Sequence, residues 1–192
     1  MDYSAALKSE IVSPAVTLLA PGVIALTPYV FLLLHYHPEI YAAGIAHATL
    51  TAVLGFLVTT GFGLFAQELG TRIEAFVVDP ILIKKDSAHK DNWYKYLRCT
   101  FPDNLVARSY IENLVLHLKF ELNTASALII GWVGLLWLMV VDAGLEVSTF
   151  FVVTGFIFVV VVYLVFEAVG TGKVLGRVRS ELLKGIGSPP IT

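Results

Sequence analysis

The sequence predicts an all-α membrane protein with four transmembrane helices, the second and third of which continue into the cytoplasm as a long antiparallel helical hairpin. Three observations carry that expectation. Of the 192 residues, 57% are hydrophobic and 15% charged, with a mean hydropathy of +0.78, whereas a soluble domain carries about 25% charged residues. Four apolar runs, at 15–34, 40–66, 125–141 and 148–166, approach or exceed what is needed to cross a hydrocarbon core of about 30 Å. The third is the shortest and becomes adequate when Asn123 and Thr124 enter the interface. Finally, helical period outlasts apolarity: QELGTRIEAFVV extends the second run, and the amphipathic DNLVARSYIENLVLHLKFELNT feeds without a breaker into the third. Each long helix then spans roughly 55 to 60 Å and projects about 25 Å from the bilayer. Residues 67–124 form this extension and its connector within a single integral membrane domain.

Charge placement orients the chain. The short links HYHPEIY and DAGLEV contain none of the 13 Lys and Arg residues. Because cytoplasmic loops are the basic ones, both termini and the central region are expected in the cytoplasm, with the chain in the plasma (inner) membrane. The formal net charge of −2 is uninformative about partners, because charge is segregated by side. The one cysteine, Cys99, excludes an internal disulfide and a CxxC motif. MDYSAALKSE mixes Asp2 and Glu10 with Lys8 ahead of an overlong apolar run, so the first span is expected to remain uncleaved.

Taken in order, the first span holds Pro21-Gly22 and Pro28, which are expected to kink it. His35, His37 and Glu39 then cluster at the outer surface, with Asp142 and Glu146 in the other outer link. Imidazole and carboxylate are ordinary metal ligands, although this spacing matches no known ligand signature. The second span places His47, Thr51, Gly55, Thr59, Gly63 and Gln67 at every fourth position. Such a series serves helix packing or lines a pore. Packing is favoured, since strict four-residue steps drift about 40° each on a straight helix. Ala127 and Gly131 repeat the small-residue spacing in the third span.

In the extension, Phe62, Phe65, Leu69, Ile73 and Phe76 share one face, Glu68 and Arg72 lie at its edge, and Glu74 points away. Ala107, Tyr110, Ile111, Leu114 and Leu118 form the matching face of the returning helix. Glu121 falls about 20° from that stripe, with His117 a turn before it. An ionised carboxylate there is costly unless paired, and Arg72 is the candidate partner. Glu68, Arg72, His117 and Glu121 thus read as a structural ion pair that fixes helix register, or as the lining of a cytoplasmic vestibule.

The connector opens at an Asp79-Pro80 turn and ends at Pro102, and it interleaves Trp93, Tyr94 and Tyr96 with Lys84, Lys85, Lys90, Lys95 and Arg98. Beside a bilayer these groups suit anionic headgroups or a cytosolic protein partner rather than nucleic acid, and a 25 Å projection favours the protein. The fourth span is β-branched and aromatic and should face lipid. After it, Ala168, Gly172 and Gly176 continue a close-packing spacing, while Lys173, Arg177, Arg179 and Lys184 form a basic cytoplasmic tail. Gly170-Thr171-Gly172-Lys173 is no phosphate loop, which would need glycine at Glu167 and Ser or Thr at Val174.

The sequence lacks GxSxG, HExxH, a dinucleotide fingerprint and a carboxylate-plus-ExxH pair. No cofactor is expected. The favoured function is an oligomeric scaffold or sensor, a homo-oligomer in the lipid bilayer whose cytoplasmic hairpin docks a soluble partner. The alternatives are a channel subunit with a cytoplasmic vestibule and a membrane-embedded metal-dependent enzyme.

Overall fold

The computed structural model describes residues 3–85, 89–98, 106–141 and 146–186, which form helices with no strand among them. The helices are α1 (Tyr3–Tyr36), α2 (Glu39–Ala46), α3 (Ala48–Ile73), α4 (Asp79–Lys85), α5 (His89–Arg98), α6 (Val106–Val141) and α7 (Val147–Ile186). A π-helical turn, Glu74–Val78, joins α3 to α4. Among the described residues, four helical segments are long and apolar enough to cross a membrane. Cys99, Pro102 and Asp142 lie outside the described residues, as do the side chains of Lys85, Lys90, Arg98 and Ala107.

The first apolar run is one continuous helix through Pro14, Pro21 and Pro28. Pro21 and Pro28 act as packing surfaces: Pro21 is fully buried, and a Cβ on Gly134 of α6 would come within 2.9 Å of the Pro28 ring. The second run, expected to be continuous, breaks instead at His47, where φ is −121° and ψ is 48°. The Thr51 hydroxyl donates to the Gly44 carbonyl at 3.2 Å, serving the end of α2, where the last carbonyls lack helical partners.

Close backbone approach holds α1, α3 and α6 together. A side chain at Gly22 would meet the Thr59 carbonyl, and one at Gly63 the Leu18 carbonyl. Residue numbers run in opposite senses across this contact, so α1 and α3 are antiparallel. Across α1 and α6 they rise together: Asn123 Nδ2 donates to the Thr17 carbonyl at 3.2 Å and the Tyr29 hydroxyl to that of Ile130 at 3.0 Å. Between these bonds Ala25, Ala66, Ala127 and Ile130 form a small-residue core, the arrangement that lets helices pack where water supplies no driving force. Gly131 joins it, with its nearest neighbour the Ile24 carbonyl. By contrast, α7 packs on α6, where Trp132 Nε1 donates to Thr154 Oγ1 at 3.2 Å, and its most apolar stretch faces outward.

Beyond the apolar runs the architecture departs from a two-helix hairpin. The expected tail is helical to Ile186 and packs as a third wall, so Val78, Leu82, Ile111, Leu118, Leu122, Ala168, Val169 and Leu175 share one core. Phe65 and Phe76, expected on the inner face, point outward, and Gly63, Ala66 and Gly70 are buried instead. Two causes operate. Close packing selects the small residues of the helix for the contact, and Gly70 abuts Asn123. The π turn then adds one residue to the helical phase, so burial continues at Val78 and Leu82 rather than at the regular positions.

Candidate functional site

The polar end of the molecule contains a cavity of about 500 Å³ bounded by the π turn, α4, α5, α6 and α7. Its wall is apolar at Val78, Leu82, Val115, Leu118 and Leu175, and polar at Glu74, Asp79, Lys119 and Arg179. Gly172 keeps α7 close to α4, since a Cβ there would come within 2.7 Å of Leu82. Helix α5 folds back as a strap: Trp93 and Tyr96 stack with ring centroids 6.0 Å apart, and the Arg179 guanidinium lies 3.8 Å from the centre of the Trp93 ring.

Arg179 is 6% exposed, yet its Nε has no hydrogen-bond partner. No carboxylate among the described residues forms an ion pair with it. Burial pulls its pKa down from the ordinary guanidinium value to about 10, with Tyr96 and Glu74 opposing the shift. Glu74 stands beyond the apolar run, at the first position of the π turn, and is half-buried rather than pointing away. Burial raises its pKa; Lys119 and Arg179 oppose this, and Asp79 adds to it.

Four residues before the third apolar run, Glu121 is 9% exposed. Its Oε1 accepts from the Thr171 hydroxyl at 3.2 Å, and its Oε2 has no partner. The expected pairing with Arg72 is not formed: Arg72 Nε bonds Glu68 Oε1 at 3.3 Å on the exposed surface. Burial holds the Glu121 carboxyl above its ordinary value, partly offset by Thr171 and His117 and reinforced by Glu167. Glu68, Arg72 and His117 are exposed while Glu121 is buried.

A raised carboxyl pKa means that the folded state binds more protons than the unfolded one between the two values, so stability should fall as pH rises through that window. The Glu121→Gln variant should show a shallower fall than wild type when unfolding in detergent is followed against pH. Glu74 contributes with the same sign, so some slope should survive. Equal slopes in the two proteins would show that Glu121 is not held protonated.

The remaining candidates separate in space. His37 Nδ1 and Glu39 Oε1 lie 2.9 Å apart, but His35 turns its ring edge-on to Tyr36. No group of three His, Cys, Asp or Glu among the described residues is placed to hold a metal ion. In the four-residue series, Thr59 and Gly63 serve the contact with α1, Gln67 is half-buried, His47 marks the helix break, Thr51 caps α2, and Gly55 has open space around it. Of the connector groups, Trp93 and Tyr96 are drawn onto α7, whereas Lys84, Tyr94 and Lys95 remain exposed. Sequence reasoning missed Lys119 and placed Arg179 in a tail. The signal was present in Ala168, Gly172, Leu175 and Arg179, whose 4-3-4 spacing marks one helical face.

No family model matches the chain, and neither the curated proteins nor the solved structures contain a match.

Proposed function

We propose that the protein is a sensor or scaffold of the plasma (inner) membrane, with both termini and the helical extension in the cytoplasm, and that the extension docks a soluble partner. One observation supports this reading: the cavity under the α5 strap is walled by the π turn, α6 and α7, helical segments that continue into the apolar spans and give an unbroken helical path from the cavity to the bundle. The absence of basic residues from the two short links supports the orientation. From Ile45 to Val58 every side chain is exposed, a face we assign to lipid and to the homo-oligomer expected from the sequence. The exposed surface of α4 and α5, with Lys84 and Lys95 exposed and Tyr94 at the rim of the cavity, is the docking face, since the Trp93 ring is already occupied by Arg179.

A photo-crosslinking residue at Lys95 tests this in living cells. It should yield an adduct of defined mass with a soluble cytoplasmic protein, and the adduct should disappear when Lys84→Glu and Tyr94→Ala are added. Adducts formed only with lipid or with a second copy of the chain would sink the docking reading.

A further inference from the structure

We propose that the cavity between the π turn, α5, α6 and α7 is a binding site for a small organic anion, whose phosphate or carboxylate group is held by Arg179 and Lys119 while its apolar body lies against Val78, Leu82 and Leu175. This names the ligand class of the sensor described above and rests on its placing of the extension in water.

The buried cation is the first ground. A guanidinium with little exposure and no ion pair is unfavourable unless an anion compensates it. The Trp93 ring attracts the charge through its face, but N–H donors need acceptors, and Nε has none. The donor set therefore fits an oxyanion, which guanidinium binds with matched planar geometry. A second cation, Lys119, comes from α6 and lines the same cavity without an ion pair to any described residue. The volume of about 500 Å³ exceeds what inorganic phosphate fills and lies within the usual range for small-molecule sites.

Charge and location narrow the class further. Glu74 and Asp79 also line the cavity, so a ligand with one or two negative charges is admitted and a polyanion repelled. Glu74 opens a π-helical turn, an irregularity frequent at functional sites. Arg179 lies about 20 Å of helix beyond residue 166, deeper in water than the headgroup layer of about 5 to 8 Å. A soluble anion reaches this point directly; a lipid supplies the same chemistry only by extending its headgroup.

The test uses the full chain in phosphatidylcholine nanodiscs, titrated with phenyl phosphate and followed by tryptophan fluorescence and thermal unfolding. Saturable binding that raises the unfolding temperature is expected, weakened at least about tenfold in Arg179→Gln and several-fold in Lys119→Gln. Nanodiscs containing phosphatidic acid distinguish the sources. An unchanged titration assigns the site to a soluble anion, and loss of the phenyl phosphate signal by competition assigns it to a lipid phosphate. Equal affinity in wild type and both variants, or no occupancy by either phenyl phosphate or phosphatidic acid, overturns the proposal. Should Arg179→Gln fail to fold, Lys119→Gln carries the same criterion. Binding that fails while the Lys95 crosslink persists removes the anion site and leaves the docking reading intact; the opposite pattern removes docking alone.

Discussion

Replacing Gly63 by leucine should prevent the chain from assembling in the membrane, whereas the same change at Gly55 should leave it folded. Both glycines belong to one four-residue series on one helix, so their environments separate them. A Cβ at Gly63 would strike the Leu18 carbonyl, while one at Gly55 meets nothing within 4 Å. Backbone cannot yield as a flexible side chain can, so α1 and α3 would have to move apart, with loss of the contact between Gly22 and Thr59 as well. Overpacking of a well-packed contact costs about 1–3 kcal/mol, and parting two helices adds the loss of the Ala25 and Ala66 core. Folded yield from detergent and the unfolding midpoint in mixed micelles would read the difference. Equal behaviour of the two variants would mean that the α1–α3 contact is not the one described.

The second large effect has the opposite sign. The Arg179→Met variant should be more stable than wild type in the absence of ligand, by about 1 to 2 kcal/mol. Methionine fills similar volume, stacks favourably on Trp93 and carries no charge to desolvate. The pKa displaced to about 10 reports that desolvation, and the ring 3.8 Å away returns part of it through cation–π attraction. The subtraction leaves a net penalty for keeping arginine there. Urea unfolding of both proteins would decide: a variant destabilised by more than about 1 kcal/mol would show that the guanidinium is already satisfied. A gain accompanied by lost phenyl phosphate binding would be the trade of stability for recognition seen at binding sites.

Helix content and the four apolar runs were legible from composition and length, because the bilayer sets a minimum run that few soluble sequences meet. Ala127 and Gly131 were legible as packing positions for the same physical reason that put them there. The inner face of the extension was misread at Phe65 and Phe76, since hydrophobicity does not tell which side of a helix a neighbouring helix covers, and here the small residues Gly63, Ala66 and Gly70 make the contact. No residue pattern announced the π turn, yet it sets which positions after Ile73 are buried. Arg179 was hidden because a basic residue near a chain end looks like solvated tail; its burial depends on α5 returning across α7, a tertiary event that local sequence does not encode. The Arg72–Glu121 pairing failed because Glu68, one turn before Arg72, offers a partner without any burial of charge.

The parallel course of α1 and α6, with α3 antiparallel to both, also orders assembly in time. A chain synthesised from its N-terminus completes α1 and α3 first, so the Gly22 and Gly63 interlock can close before α6 exists, and α6 then docks into a groove already made. Trp93 and Tyr96 emerge early but wait for all of α6 and most of α7 before Arg179 arrives beneath them. At about 5–20 residues per second, the aromatic pair stands uncovered for several seconds of every synthesis. The cavity is therefore the last part of the protein to come into being, and it can serve as a sign that the bundle behind it is complete.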